Sequence, residues 1–412
     1  MRGVPRVLAL GLLLALLATG SAFGATRKHQ RVQRSTAAKR TGTRRASRPA
    51  VRRQAVVRSR ASGTSRGVIR TRRHARRRAI YNPWTEPTFS DVTAEDHING
   101  DDPLIRKAAV DALGPYNGSV VVVNPQDGRI LTMVNQKLAL SGAYQPCSTV
   151  KVVVSLASLS EGIIDADSPV RLTRRSSMTM AQALAHSNNY YFARLGQSLG
   201  FERVSQYAKL FGLGEKAGFN IPGEEAGTLA SEIPSDGLGM MTSFGSGIRL
   251  TPLELASIMT SVANGGTMYY LQYPQTKQEV ESFQPKVKRH LPIGNLIPAV
   301  KAGMMGAVEY GTARRANFNP DEPILGKTGT CTDTERPGVH LGWFGSFNDA
   351  SKNKLVVVVL LTGGRGVSGP IASGIAGQVY RNLATQNYFE DSRPSEIVSP
   401  ISLISIPAPA VN

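Results

Sequence analysis

The sequence predicts a mixed α/β domain whose sheet combines segments from both ends of the domain. A β-hairpin is predicted over residues 119–134, where two strand-forming runs flank a turn that ends in Gly128. Two further apolar strands are predicted late in the chain, over residues 340–347 and 355–362. Helical spacing predominates between the early and late strands. Strands distant in sequence are therefore expected to close one sheet.

The helices predicted between these strands follow from apolar spacing and from end signals. Residues 251–254 form a capping box with proline at the first helical position, and Gly265 and Gly266 end that helix. The remaining helices are predicted over residues 148–159, 178–186, 190–199, 202–211 and 295–309. No internal repeat is present in the sequence.

Charge is distributed unevenly along the 412 residues, whose formal net charge is +20. The first 85 residues contain 22 of the 49 Lys and Arg residues and no acidic residue, which leaves 27 basic and 29 acidic residues in the rest. The basic pI therefore does not by itself indicate a nucleic-acid-binding protein. A hydrophobic fraction of 41% also excludes a wholly disordered chain.

The two ends of the chain are predicted to lie outside the folded domain. Residues 1–25 have the layout of a signal peptide or a membrane anchor: Arg2 and Arg6, an apolar run and then small residues. Residues 26–82 form a basic arm that is predicted to be disordered, either as a tether to an anionic envelope surface or as a solvated spacer. The folded domain is predicted over residues 86–392, and residues 393–412 are predicted to form a loose tail.

Ser148 and Lys151 begin the helix predicted over residues 148–159. Positions i and i+3 share one helix face, so the lysine amine is expected beside the serine hydroxyl. A desolvated, neutral lysine is able to take the proton that makes serine a nucleophile. Taken alone, this spacing is a weak signal that occurs often by chance, and a helix N-cap followed by a surface lysine is its more common interpretation.

Two further polar segments follow. Ser187 and Asn189 lie at a junction between predicted helices, where a cap or turn is an ordinary interpretation. Lys327, Thr328, Gly329 and Thr330 precede the predicted strand over residues 340–347. Lysine with flanking hydroxyls is suited to binding a carboxylate, and glycine in a strand allows the backbone of a ligand to approach. The alternative to a binding site is an edge strand whose charged residue prevents aggregation.

In this order, the three segments resemble the S-x-x-K, S-x-N and K-T-G motifs of penicillin-binding proteins and serine β-lactamases. The resemblance extends over residues 118–381 and includes the segments 144–151, 211–227 and 243–266. It implies an antiparallel sheet flanked by helices, with an all-helical subdomain and the site between them. Residues 86–117 are too few for the upstream domains of many relatives, and a separate glycosyltransferase partner is one expectation.

The resemblance implies a role for each motif residue. Ser148 is expected to attack the carbonyl of a D-Ala-D-Ala stem peptide of peptidoglycan, or a β-lactam ring, after Lys151 takes its proton. Ser187, supported by Lys327, is expected to pass a proton to the leaving amine. Substrate contacts are expected from Asn189, Thr328, Gly329 and Thr330, and an oxyanion hole from the backbone N–H groups of Ser148 and Thr330.

The chain has two cysteines, Cys147 directly before the expected nucleophile and Cys331 directly after Thr330. In the fold that the resemblance implies, these positions lie side by side within disulfide reach, and an exported chain is expected to join them. Two small buried thiols are the alternative. No metal site or cofactor is expected, and His186 is interpreted as a helix-end residue beside the site.

Several functions remain open on the sequence alone. A D,D-transpeptidase and a D,D-carboxypeptidase differ only in whether an amine or water reaches the acyl-enzyme. A serine β-lactamase is a second hypothesis, with Glu224 or Glu225 as the residue that holds the deacylating water. A non-catalytic sensor of β-lactams or wall peptides is a third, and nucleic acid is the least favoured partner. Export to the periplasm or to the outer face of the cytoplasmic membrane is expected.

Overall fold

The structure of the protein is a computed structural model that describes residues 87–390. The predicted signal peptide or anchor, the basic arm and the tail lie outside these residues. No helix between residues 87 and 390 is long and apolar enough to cross a membrane.

Eleven helices and eleven strands are present in the described part of the chain. The helices are α1 Pro103–Leu113, α2 Gln136–Ser141, α3 Lys151–Ser160, α4 Met180–Ala185, α5 Asn189–Leu199, α6 Phe201–Leu210, α7 Leu238–Phe244, α8 Pro252–Ala263, α9 Lys277–Glu281, α10 Ile297–Glu309 and α11 Gly369–Ala384. The strands are β1 Gly118–Val123, β2 Ile130–Val134, β3 Val170–Thr173, β4 Ser176–Met178, β5 Thr228–Leu229, β6 Ile248–Arg249, β7 Thr267–Tyr269, β8 Val287–His290, β9 Ile324–Thr332, β10 His340–Asn348 and β11 Val356–Gly363.

The central sheet has five antiparallel strands in the order β2-β1-β11-β10-β9. The early strand β1 pairs with the last strand β11, so that Val120 lies opposite Val359. This pairing confirms that distant segments close the sheet. Strand β9 has only one neighbour and therefore forms an edge of the sheet.

The central strands are buried on both faces, and this explains their continuous apolar runs. Val121 and Val358 contribute to the apolar cluster that contains α3 and α8, whereas Val122 and Val357 face the cluster that contains α1 and α11. Alternate side chains thus anchor a helical layer on each face of the sheet. The mixed α/β fold with an antiparallel sheet is confirmed.

The helix predicted over residues 178–186 begins later than expected. Met178 ends strand β4, where it lies opposite Val170 of β3. The helix begins at Met180, because Thr179 forms an N-terminal capping box with Gln182. The segment between Lys151 and Ser187 is therefore mostly helical with one small hairpin, and two more two-stranded sheets, β5-β6 and β7-β8, follow before β9. The expectation of an all-helical subdomain is therefore wrong in this respect.

The capping box predicted at the start of α8 is present and has a larger role than expected. The carboxylate of Glu254 accepts hydrogen bonds from the backbone N–H groups of Thr251 at 2.7 Å, Gly214 at 2.8 Å and Gly227 at 3.2 Å. Burial raises the pKa of Glu254 to about 7. One buried side chain thus joins the start of α8 to two loops of the helical subdomain.

Candidate active site

The segment that carries Ser148 is held in a constrained conformation at the start of α3. A turn of 3-10 helix, Cys147–Val150, leads into α3, and Cys147 has a φ of 51°, in the left-handed region that non-glycine residues rarely occupy. The indole N–H of Trp343 donates to the carbonyl of Gln145 at 2.9 Å and fixes the approach to this turn. Ser148 lies within this turn, directly before α3, and is 7% exposed.

Lys151 lies one turn after Ser148 and is fully buried. Its Nζ is 3.0 Å from the Oγ of Ser148, as the spacing predicted. The same nitrogen lies 3.0 Å from the Oγ of Ser187, 2.8 Å from its carbonyl oxygen and 2.6 Å from the Oδ1 of Asn189. Lys151 therefore brings the first two motifs together.

The environment of Lys151 favours its neutral form. Burial lowers its pKa to about 7. The rings of Phe192 and Phe244 lie 5.4 Å and 6.0 Å from Nζ, so the amine has apolar side chains beside it as well as polar partners. A lysine with this pKa has a substantial neutral fraction at neutral pH, as a general base requires.

Lys327 approaches the same site from strand β9. Its Nζ donates to the Oγ of Ser187 at 2.9 Å and to the carbonyl of Thr328 at 2.8 Å. Burial, and secondly the charge of Lys151, hold the pKa of Lys327 well below its ordinary range. The hydroxyl of Ser187 thus lies between two amines, and a hydrogen-bonded path joins Ser148, Lys151, Ser187 and Lys327.

The second motif lies at the junction of α4 and α5. Ser187 has a φ of 54°, again in the left-handed region. Asn188, between the two motif residues, is the N-cap of α5, because its side chain accepts the N–H of Tyr191 at 2.9 Å. The cap interpretation therefore applies to Asn188, and Ser187 and Asn189 are left to face Lys151.

The hydroxyls of the third motif have partners from other elements. The Oγ1 of Thr328 is 2.6 Å from the Oγ1 of Thr312, and the Oγ1 of Thr330 accepts the N–H of Gly369, at the start of α11, at 2.7 Å. Thr330 is exposed on the edge strand. These hydroxyls lie along β9 in the same motif as Lys327.

Gly329 has a different neighbour from the one that we expected. A Cβ at this position would lie 2.9 Å from the carbonyl oxygen of Pro146 and 3.1 Å from the Cβ of Trp343. The segment before Ser148 therefore approaches the backbone of Gly329 closely. Glycine at this position lets the segment before Ser148 pack directly on β9.

A disulfide joins Cys147 to Cys331, with 5.6 Å between their Cα atoms. The expected bridge is confirmed, and the alternative of two free thiols is wrong. Because these cysteines are the neighbours of Ser148 and Thr330, the bridge joins the backbone beside Ser148 to the backbone of the edge strand.

Sequence reasoning missed several groups at the site. The Oγ of Ser148 donates to the carbonyl of Ser243 at 3.4 Å, and Thr312 contacts Thr328 as described above. A backbone carbonyl carries no side-chain signal, and Thr312 belongs to no recognisable motif. His186 is the C-cap of α4 with its ring 5.6 Å from that of Tyr310, in agreement with the helix-end interpretation.

Metal ligands are not grouped in the described residues: no three His, Cys, Asp or Glu side chains between residues 87 and 390 are arranged to hold an ion. The groups that converge at the site are instead two hydroxyls, two amines and an amide.

Comparison with known proteins agrees with this geometry. Residues 118–384 match the model of the penicillin binding protein transpeptidase domain. Stage V sporulation protein D of Bacillus subtilis is 27% identical over 314 residues, which are 64% of this chain and 48% of that protein. Peptidoglycan D,D-transpeptidase FtsI of Escherichia coli is 23% identical over 317 residues, which are 65% of this chain and 52% of that protein. The chain thus spans about half the length of these relatives.

Solved structures share the fold. PBPA from Mycobacterium tuberculosis has a TM-score of 0.59 at 24% identity, with 69% of this chain and 81% of that chain covered. PBP2 of Pseudomonas aeruginosa, solved in complex with WCK 5153, has a TM-score of 0.59 at 22% identity over 73% of this chain and 81% of that chain. The family model covers most of the described residues, and the chain belongs to the penicillin-binding protein transpeptidase family.

Proposed function

We propose that this chain is a serine D,D-transpeptidase that acts on D-Ala-D-Ala stem peptides in peptidoglycan synthesis. The observation that carries the proposal is the buried path from Ser148 through Lys151 and Ser187 to Lys327. It provides a nucleophile, a base of suitable pKa and a route for the proton to a leaving amine.

In the proposed reaction, neutral Lys151 takes the proton of Ser148 while the Oγ attacks the carbonyl carbon of the penultimate D-Ala. The backbone N–H groups of Ser148 and Thr330 stabilise the oxyanion. The proton passes through Ser187, next to Lys327, to the leaving D-Ala amine, and an acyl-enzyme forms. An acceptor amine then attacks the acyl carbon, the ester C–O bond breaks, and the proton that the amine loses returns through Lys151 to the Oγ of Ser148.

Substrate contacts come from four residues in this proposal: Asn189, Thr328, Gly329 and Thr330. The amide of Asn189 binds the stem peptide backbone, and the hydroxyls of Thr328 and Thr330 bind the terminal carboxylate. Support comes from the position of both hydroxyls along the strand that carries Lys327. The basic arm is proposed to hold the exported enzyme at an anionic envelope surface, either in the periplasm or at the outer face of the cytoplasmic membrane.

The β-lactamase hypothesis receives less support from the contacts of its two candidate carboxylates. Glu224 is 3% exposed and accepts the backbone N–H groups of Ala217 and Gly218 at 2.8 Å and 2.9 Å. Glu225 is exposed, and its backbone N–H donates a hydrogen bond to the carbonyl of Leu140. The side-chain hydrogen bonds of Ser148 and Lys151 go to hydroxyl, amide and carbonyl oxygens, with no carboxylate among them. Slow deacylation, rather than rapid turnover of nitrocefin, is therefore expected.

The activity is tested with a donor stem peptide that ends in D-Ala-D-Ala and an acceptor that carries a free amine. A transpeptidase joins the two peptides with loss of one D-Ala, and mass spectrometry detects this product. A trimmed donor alone indicates a carboxypeptidase. A protein that binds penicillin but changes neither peptide is a sensor, and that outcome contradicts the proposal.

The rate of acylation is expected to depend on pH through Lys151. Its lowered pKa of about 7 means that the neutral base predominates above that pH and is lost below it. The second-order rate constant for a fluorescent penicillin should therefore fall about tenfold per unit below pH 7 and reach a plateau above it. Thermal melts over the same pH range control for unfolding, and a flat profile from pH 5.5 to 8.5 contradicts this role.

Removal of the disulfide is expected to slow acylation and to destabilise the fold. In the double variant Cys147→Ala, Cys331→Ala, the two backbones that supply the proposed oxyanion donors lose their covalent link. Loss of one such donor costs about 10²–10³-fold in rate, so we expect a fall of about 10–100-fold from partial loss of geometry. The bridge closes a sequence separation of 184 residues, and its loss should lower the free energy of unfolding by about 3–5 kcal/mol.

The control for this variant is the wild-type protein treated with reductant and then alkylated. Intact mass should show no added label without reductant and two labels with it, and the reduced protein should share the slower acylation. Equal acylation rates with and without the bridge would show that the oxyanion geometry does not depend on it.

A further inference from the structure

A cavity distinct from the catalytic side chains lies between residues 90–97 and helix α2. Its volume is about 740 Å³, within the range of sites that bind small ligands and short peptides. Tyr144 and Arg336 also line it, whereas none of the four residues of the proton path does. Nothing in the proposed reaction uses this cavity.

Buried polar contacts hold the walls of the cavity in place. The carboxylate of Asp96 is paired with Arg106 at 2.6 Å and accepts the N–H of Gln136 at 2.8 Å. The side chain of Gln136 in turn accepts the N–H of His97 at 3.0 Å and donates to its carbonyl at 2.6 Å. Residues 90–97 are thereby held against the start of α2, so these walls of the cavity are preorganised.

The charges that line the cavity have opposite signs on different elements. Asp91 and Glu95 are exposed on the N-terminal segment, whereas Lys137 is exposed on α2 and Arg336 in the loop after β9. The guanidinium of Arg336 lies 4.3 Å from the centre of the Tyr144 ring. Asp96, the remaining acid of the lining, is paired with Arg106, and Asp91 accepts the N–H and the hydroxyl of Thr93 at 3.3 Å and 3.2 Å.

The arrangement matches a ligand with both a carboxylate and an ammonium group. We propose that this cavity binds a zwitterionic peptide, with its carboxylate toward Lys137 and Arg336 and its ammonium group toward Asp91 and Glu95. A stem peptide with a free amine has this chemistry, and that choice of natural ligand rests on the proposed function. The binding site itself does not depend on it.

The cavity also adjoins the backbone that carries the nucleophile. Tyr144 shortly precedes Ser148, and its N–H and carbonyl both pair with Leu250. The neighbouring Arg249 bonds to the carbonyl of Ala143 at 2.7 Å and to Asp333, in the loop of Arg336, at 2.8 Å. A peptide in the cavity therefore contacts residues whose backbone is bonded to the segment that leads to Ser148, and not a remote surface.

The test measures binding while the catalytic serine is blocked. The full chain is acylated with benzylpenicillin, the adduct is verified by mass, and an unblocked alanine tetrapeptide is titrated by calorimetry. Its N-acetylated, C-amidated form serves as the neutral probe. The same titrations on Ser148→Ala make the result independent of whether acylation succeeds, so the cavity and the proposed function are judged separately.

We expect saturable binding of the unblocked peptide at one site, and at least tenfold weaker binding of the neutral form. The variants Arg336→Glu and Glu95→Lys should each weaken binding at least tenfold. The control Lys277→Glu makes the same charge change as Arg336→Glu, at a side chain 89% exposed on α9, and should change binding less than twofold. Absence of saturable binding, equal affinity for the neutral form, or indifference to both cavity variants would overturn the proposal.

Discussion

Substitution of Ser148 by alanine is expected to abolish covalent labelling by a fluorescent penicillin. Ser148 is the hydroxyl at the start of α3 that lies 3.0 Å from the amine of Lys151, and no adduct forms without its Oγ. Peptide turnover should fall by at least about 10⁴-fold, since removal of a nucleophile eliminates the acyl-enzyme pathway. Gel fluorescence and intact mass both measure this loss.

The matched control is Ser168→Ala, which removes an exposed hydroxyl from the loop before β3. It should label at the wild-type rate. Alanine at position 148 removes a single, nearly buried oxygen, so the melting temperature should remain close to that of the wild type. Labelling retained in a folded Ser148→Ala protein would contradict the assignment of the nucleophile.

The motif residues could be predicted because each signal is local or carried by a known pattern. The helix predicted from residue 148 begins with a 3-10 turn, and α3 starts only at Lys151. Residues i and i+3 also share one face in a 3-10 turn, so the spacing of Ser148 and Lys151 still determines their contact. The approach of Lys327 to Ser187 is not local, since 140 residues separate them. It was accessible only through the resemblance of the ordered motifs to a family.

Other features of the site depend on tertiary contacts that leave no local signal. Thr312 reaches Thr328 because the chain turns back after α10, where the N–H of Thr312 donates to the carbonyl of Ala185. The close packing at Gly329 requires the segment before Ser148 to lie on β9. The walls of the cavity likewise depend on Gln136 and on the backbone of His97, 39 residues away.

The helical pattern misplaced one boundary for a similar reason. Met178 continues the apolar spacing of α4, yet it belongs to β4 and pairs with Val170 of β3. Thr179 separates the two conformations, because its extended backbone and side-chain cap begin a helix at the next residue. The capping box of Thr179 and Gln182 is visible in the sequence, and it determines the start of the helix more strongly than the apolar spacing of Met178 does.

Substitution of Lys151 by methionine is expected to lower the acylation rate by about 10³-fold, within the range for loss of a general base. Methionine is close to lysine in volume and is tolerated in buried positions, but it has no lone pair to take the proton of Ser148. The side-chain oxygens of Ser187 and Asn189 also lose their partner, so a modest fall in stability is expected.

A second variant, Lys151→Arg, separates the role of a base from that of a hydrogen-bond donor. Arginine keeps a cation with donors at this position, but its guanidinium does not lose its proton in the accessible pH range. Both variants should therefore acylate slowly and lose the pH dependence near 7, whereas Lys107→Met, at a side chain 74% exposed on α1, should be unaffected. If Lys151→Arg acylated at close to the wild-type rate, the amine would act by positioning Ser148, and the base would have to be sought in Lys327.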